Sequence, residues 1–299
     1  MTMDRRSLLK GLVTAGAGAA AVAVEGTAEA RARKSAPADA VGMLYDTTLC
    51  IGCKTCVVAC REANGLKADT EYFPGNLYQA PTDLNSKTKN VIKLYKEGDK
   101  SSYMKAQCMH CVDPACVGAC MIGALQKGPK GIVSYDLDRC IGCRYCQMVC
   151  PFNVPKFEWE SASPKIVKCE LCRHLLAKGK IPACVEVCPR HAVIYGTREE
   201  LLAEAKRRIS GNPGRYVPKV YGETDAGGTQ VLYLSHVPHE KLGLPAIGDE
   251  PVPEVQQTVQ HGVYQGFIAP VALYAALGAV AFRNRKKKED AEPPAGGAP

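Results

Sequence analysis

The stretch Cys140-Ile-Gly-Cys143-Arg-Tyr-Cys146-Gln-Met-Val-Cys150-Pro151 constrains this chain more than any other. Its C-x2-C-x2-C-x3-C-P spacing lets a tight loop wrap three thiolates around one face of a [4Fe–4S] cube. The fourth cysteine is carried past that face and serves a neighbouring cluster, so one such run implies another. The chain supplies three more. Cys50, Cys53, Cys56 and Cys60 repeat the spacing with Arg61 where the proline stood. Cys108, Cys111, Cys116 and Cys120 read C-x2-C-x4-C-x3-C, and Cys169, Cys172, Cys184 and Cys188 read C-x2-C-x11-C-x3-C before Pro189. All 16 cysteines are used. Structural zinc takes four ligands from two C-x2-C pairs and has no use for a third cysteine at this spacing. A disulfide framework predicts no regular C-x2-C blocks and belongs to much shorter chains. The sequence therefore predicts four [4Fe–4S] clusters with these sixteen cysteines as iron ligands.

Composition agrees with an interior built around inorganic cores. Aromatic residues make up only 6% of the 299, while Gly and Pro number 28 and 20, a profile of loops more than of one large apolar core. The formal charge of +8 would hint at nucleic acid. Each oxidised cluster with its four thiolates carries about two negative charges, so four would cancel the excess. No nucleic-acid module is legible, and the basic residues are scattered except at the two ends.

Those ends carry their own signals. Residues 1–30 open with Asp4-Arg5-Arg6-Ser7-Leu8-Leu9-Lys10, continue through a small, apolar run and reach Ala28-Glu29-Ala30, the layout of a secretory signal of the twin-arginine kind. That route suits cluster chemistry: clusters are built on reduced thiols in the cytoplasm, so the chain would cross the membrane folded and loaded. Residues 31–42, rich in Ala, Arg and Pro, read as a linker. Near the other end, Val263 to Phe282 carries no charge and is long enough for a transmembrane helix, with a buried helix as the alternative. Arg283, Arg285, Lys286, Lys287 and Lys288 follow, and the positive-inside rule keeps the tail 283–299 in the cytoplasm and the cysteine domain outside. Gly262 and Gly266 form a G-x3-G pair suited to packing on another membrane helix.

Between these ends, the cysteine domain spans 43–240. Arg61 to Gln107 separates the first two motifs, and this insertion serves either packing or partner docking. It holds turn signals at Phe73-Pro74-Gly75-Asn76 and Pro81-Thr82-Asp83, and a strand pair Asn90–Tyr95 with Ser102–Lys105 across Glu97-Gly98-Asp99. Ala124 to Tyr135 reads as a hairpin, and Val154–Glu160 and Ala192–Tyr195 as strands. Thr197-Arg-Glu-Glu200 is a capping box for a helix to about Ser210 with Gly211 as its stop. Gly227 to Leu234 reads as a last strand, and 241–262 as a polar connector. His236, His239 and His261 read as surface or interface histidines, since no second ligand type accompanies them. There is no Ser/His/Asp set, phosphate loop or dinucleotide fingerprint, hence no catalytic residue. The expected fold class is α+β, two tandem double-cluster ferredoxin-like units with short hairpins and helices.

These motifs resemble the four-cluster iron–sulfur subunits of membrane-linked oxidoreductases, related to the beta subunits of formate dehydrogenase, dimethyl sulfoxide reductase and polysulfide reductase. The resemblance covers about Val41 to Leu234. A signal of its own plus a single C-terminal helix narrows it to the HybA-type subunits of periplasmic [NiFe] hydrogenases. One departure is Met121 after Cys120, where the family has proline. The resemblance implies nested ligation. Cys50, Cys53 and Cys56 would bind one cluster with Cys188, and Cys169, Cys172 and Cys184 its neighbour with Cys60. Cys108, Cys111 and Cys116 would join Cys150, and Cys140, Cys143 and Cys146 would join Cys120. It further implies electron relay between hydrogenase small and large subunits and an integral, quinone-reactive membrane subunit, on the periplasmic side of the bacterial inner membrane. The same relay for a molybdenum enzyme of formate, polysulfide or tetrathionate type is the alternative. A free-standing redox or cluster store is a further one, against which a membrane helix argues.

Overall fold

The computed structural model describes residues 34–69, 81–161, 164–253 and 270–285. It divides into two units, Ala32–Pro253, which holds every cysteine, and Met1–Arg31 with Glu254–Pro299.

The cysteine unit is mixed α and β. Its centre is β1 (Val41–Asp46), buried along its whole length. β1 pairs antiparallel with β8 (Val193–Thr197), Leu44 opposite Ile194, and parallel with β9 (Val231–Leu234), Leu44 opposite Leu232. A central strand covered on both faces reads as a continuous apolar run, and V-G-M-L-Y is one. Side chains alternate across the sheet. Met43 and Tyr45 point into a core with Leu171, Tyr221, Tyr233 and Cys184, while Leu44 packs with Leu201, Ala205, Leu232 and Leu234. Tyr45 and Tyr233 meet edge to face at 5.7 Å, the geometry their ring quadrupoles favour.

The second layer is helix α1 (Arg198–Gly211). Thr197 Oγ1 accepts from the Glu200 N–H while Glu200 accepts from the Thr197 N–H, so the expected capping box is present. The helix runs through Gly211 and stops at Asn212. Fully buried Asp46 ties it to the sheet: its carboxylate accepts from Arg208 Nη1 at 3.1 Å and the Tyr216 hydroxyl at 2.9 Å, and from Thr48 Oγ1 at 2.6 Å. A buried charge this well partnered holds position through its hydrogen bonds, and removing one partner would leave a costly orphan.

Three hairpins complete the unit. β2 (Asn90–Glu97) and β3 (Lys100–Gln107) pair antiparallel, longer than the expected pair but in the same place. β4 (Leu125–Lys127) pairs with β5 (Val133–Tyr135), the hairpin foreseen between the second and third motifs. Of Val154–Glu160 only β6 (Lys156–Phe157) is a strand, paired with β7 (Ile166–Val167). Strand β9 starts at Val231, because a 3-10 turn at Asp225–Gly227 precedes it. The turn signal at Phe73–Asn76 lies outside the described residues, as does His261.

One expectation lies partly outside the described residues, and another needs correcting. Among the described residues no helix is long and apolar enough to cross a membrane. Of the expected span 263–282, residues 263–269 lie outside the described residues; 270–282 is helical and exposed, and the helix continues to Arg285. His239 is buried, its ring 5.3 Å from that of Tyr221, because a 3-10 turn at His239–Leu242 folds it against the sheet core. His236 is exposed, as expected.

Gly42 is where sheet geometry leaves no room. A Cβ there would collide with the Gln230 carbonyl oxygen, which accepts from the Met43 N–H at 3.0 Å and registers β1 on the β9 segment. Gly42→Ala should cost about 1–3 kcal/mol or more, as overpacking does. Gly211→Ala, on an open helical turn with nothing within 4 Å, should be neutral or stabilising by up to about 1 kcal/mol. Thermal unfolding of the iron-loaded variants measures both, and equal stability of the two would contradict the role given to Gly42.

Candidate metal centres

All four cysteine motifs fold their first turn the same way. The third residue of each opening C-x-x-C lies in the left-handed region: Gly52 at φ 72°, His110 at 48°, Gly142 at 70° and Leu171 at 51°. This conformation turns the chain sharply enough to aim successive sulfurs at one point, and it suits glycine best. The second and fourth motifs place His110 and Leu171 there instead, and both are fully buried, so packing holds the strained backbone. The same turn points N–H groups at sulfur. Gly52 N donates to Cys50 Sγ at 3.4 Å and Leu171 N to Cys169 Sγ at 3.4 Å.

The closing cysteine of each motif is also built to a pattern. After Cys120, Cys150 and Cys188, the third residue on is left-handed again, Gly123, Asn153 and His191. The N–H that follows turns back to the sulfur: Ala124 N donates to Cys120 Sγ at 3.2 Å and Ala192 N to Cys188 Sγ at 3.3 Å. The turn after Cys120 is intact although exposed Met121 replaces the proline, with Gly123 N donating to Cys120 O at 3.0 Å. Cys60 differs. With Arg61 in place of proline, helix Thr55–Ala63 runs on past it, and the Asn64 side-chain amide supplies the donor, Nδ2 to Cys60 Sγ at 3.7 Å.

The sulfurs gather in four sets that cross the motif order. One cavity is lined by Cys50, Cys53, Cys56 and Cys188, with Tyr45 and Lys105 in its wall. Another is lined by Cys120, Cys140, Cys143 and Cys146, with Tyr135 and Arg144. Cys60 has Cys169, Cys184 and Cys172 as its cysteine neighbours, and Cys111 has Cys108, Cys116 and Cys150. The sets also adjoin one another in a fixed succession: Cys56 faces Cys184, Cys108 faces Cys169, and Cys116 faces Cys146. Cys53 and Cys143, in the first and last sets, are exposed, whereas Cys108, Cys169, Cys172 and Cys184 in the middle sets are buried.

Burial, followed by the neighbouring thiolates, pushes the thiols up, to about 12 for Cys60 and Cys146; Cys56 and Cys116 also reach about 12, again chiefly through burial. A site of this kind holds its sulfurs as thiolates only against cationic iron, which binding must exchange for the thiol protons. Among the described residues, no three His, Cys, Asp or Glu are grouped as around a single metal ion. Four soft sulfurs spread around a common space, with backbone donors on them, fit a cubane cluster, whose potential such hydrogen bonds tune.

Basic groups surround these sets. Lys105 and Lys168 are buried, and Lys168 Nζ donates to the Cys169 carbonyl at 3.0 Å. Lys127 Nζ donates to the Cys111 carbonyl at 2.5 Å, and burial pulls its ammonium down to about 8. Arg144 stacks over Phe157 and Trp159, its guanidinium carbon 4.4 and 4.0 Å from the ring centres. His110 takes the Val133 N–H on Nδ1 at 3.1 Å, and burial followed by Lys168 and Lys127 holds it well below its usual range, hence neutral. Spacing offered no sign of Lys105; only the three-dimensional packing makes it a neighbour of sulfur.

Comparison with known proteins agrees with this chemistry. Residues 100–198 match the 4Fe-4S dicluster domain family. The chain is 42% identical over 282 residues to the Hydrogenase-2 operon protein HybA of Escherichia coli O157:H7, covering 82% of this chain and 85% of that protein. It is 37% identical over 247 residues to the Formate dehydrogenase-O iron-sulfur subunit of Escherichia coli strain K12, covering 78% of this chain and 77% of that subunit. A protein of Nitratidesulfovibrio vulgaris strain Hildenborough is 41% identical over 97% of this chain and 80% of its own length. Cysteine quartets on left-handed turns and these similarities lead to one conclusion: the chain belongs to the HybA family of [4Fe–4S] electron-transfer subunits, within the wider group that includes the formate dehydrogenase iron–sulfur subunits.

Proposed function

We propose that this chain relays electrons through four [4Fe–4S] clusters, between a catalytic hydrogenase dimer outside the bacterial inner membrane and an integral, quinone-reactive subunit. The observation that carries the relay is the succession of cysteine sets, from Cys50/Cys53/Cys56/Cys188 to Cys60/Cys169/Cys172/Cys184, then Cys108/Cys111/Cys116/Cys150 and Cys120/Cys140/Cys143/Cys146. Each set would ligate one cluster. Exposed cysteines in the two terminal sets fit an entry and an exit, and the middle sets, which hold no exposed cysteine, fit a conductor shielded from water. The cofactor supplies the redox chemistry; the protein's part is position, dielectric and hydrogen bonds to sulfur. The greater identity to a hydrogenase operon protein than to a formate dehydrogenase subunit favours hydrogen over formate as the upstream electron source.

Arg5-Arg6 and the run behind them support export of the folded, loaded chain by the twin-arginine route, and the uncharged residues 263–282 before Arg283 support an anchor with its tail in the cytoplasm. Held there, the relay would stand beside a lipid-soluble acceptor.

Three experiments test these readings. In anaerobically purified protein with about sixteen iron per chain, Cys150→Ser should damage the cluster on Cys108, Cys111 and Cys116 more than the one on Cys140, Cys143 and Cys146. Spectroscopy showing the reverse would refute the nested ligand sets. Replacing Arg5 and Arg6 with lysine should leave brown, iron-loaded protein in the cytoplasm; normal periplasmic delivery would count against the export reading. Removing Gly262–Pro299 should preserve the clusters and dye-linked activity of the complex. It should lower hydrogen-to-quinone turnover by roughly tenfold or more, since tethering supplies an effective concentration that diffusion does not restore. Undiminished quinone turnover in membranes would sink the anchored relay.

A further inference from the structure

Lys105 lies near the end of β3 and has no exposed surface. Its side chain lines the cavity of Cys50, Cys53, Cys56 and Cys188, and Cys184 and Cys169 of the adjoining set lie within electrostatic reach of its ammonium. It therefore faces two cysteine sets at once. Its Nζ also donates to Gln107 Oε1, and Gln107 Nε2 donates to Met43 Sδ at 3.4 Å, so the head group is aimed from behind. The backbone is pinned as well, the Tyr233 hydroxyl donating to the Lys105 carbonyl at 2.6 Å.

A buried ammonium needs negative charge nearby. Among the described residues, no carboxylate forms an ion pair with Lys105. Its hydrogen-bond partner, Gln107, is neutral. The negative charge in reach is sulfur, that of Cys184, Cys56 and Cys169. When each site takes up one electron, from a redox mediator or an upstream centre, its net charge becomes more negative by one. A fixed cation in a dry, low-dielectric interior stabilises that reduced state more than the oxidised one.

We propose that Lys105 is a potential-setting residue, shared by the sites of Cys50/Cys53/Cys56/Cys188 and Cys60/Cys169/Cys172/Cys184, whose buried positive charge raises the reduction potentials of both. The inference rests on the ligand sets given above. One charge between two sites also couples them. Reducing one spends part of the attraction available to the other, which favours one electron at a time across the pair.

The test is a mediator titration of the native membrane-extracted complex, followed by electron paramagnetic resonance, with iron content as the check on loading. Lys105→Met should lower two of the four midpoints, each by a tenfold or greater change in the reduction equilibrium, about 59 mV for one electron, and leave the other two in place. Gln107→Glu keeps the lysine but sets a carboxylate against it, and should move the same two midpoints the same way, so a Lys105→Met chain that fails to load iron does not decide the matter. Lys105→Arg should retain the wild-type values. Fully loaded Gln107→Glu with all four midpoints unchanged would overturn the proposal, as would a fall in Lys105→Arg equal to that in Lys105→Met. Loss of the four cubane signals from the wild-type chain would refute the ligand sets instead.

Discussion

Everything in the cysteine unit follows from the need to hold sulfur as thiolate out of water. Burial pushes the thiols toward their neutral form, as at Cys60 and Cys116, and only cationic iron together with directed donors reverses that preference. Loops meet the requirement better than regular elements. A helix or strand spends its N–H groups on its own hydrogen bonds, whereas a left-handed turn frees two or three to aim at one atom. The pattern repeats at Cys50, Cys120, Cys169 and Cys188. The short hairpins and one-turn helices then serve to anchor the ends of these loops.

The three-stranded sheet and the longest helix of the cysteine unit hold no sulfur. β1, β8 and β9 with helix α1 form a conventional packed layer, sealed by Asp46 and its partners. One face of that layer touches the cysteine sets through Met43 and Tyr45, so the same strand belongs to an apolar core and to the wall of a metal centre. Aromatic residues are scarce in the chain, and three tyrosines meet at this seam. Tyr45, Tyr221 and Tyr233 stack edge to face, and each hydroxyl is spent on a backbone carbonyl.

Much of this was legible in advance, for physical reasons that differ by element. Cysteine spacing announces cluster chemistry because few other uses of sulfur require it. The hairpins at Asn90–Gln107 and Leu125–Tyr135 show through their turn residues, and the capping box at Thr197 is local by nature. Strand β1 was hidden because it begins at Val41, inside a stretch that reads as linker, and its partners lie far along the chain. His110 and Leu171 take left-handed backbone that no residue type other than glycine advertises. Lys105 stands on a strand, where a lysine reads as solvent-facing, yet it is fully buried. Spacing alone says nothing of which distant cysteine closes each set, since that depends on how the loops return.

The placement of β1 has a consequence for how the molecule comes into being. Its two neighbours, β8 and β9, are the last strands of the unit to leave the ribosome, and Cys188, which completes the cavity of Cys50, Cys53 and Cys56, emerges just before them. Contacts of such sequence separation form late. The first strand and the first metal centre therefore wait on nearly the whole domain, and any copy cut short before Cys188 shows an open sheet edge beside an open sulfur nest. Completeness of the chain is thus legible at that one place.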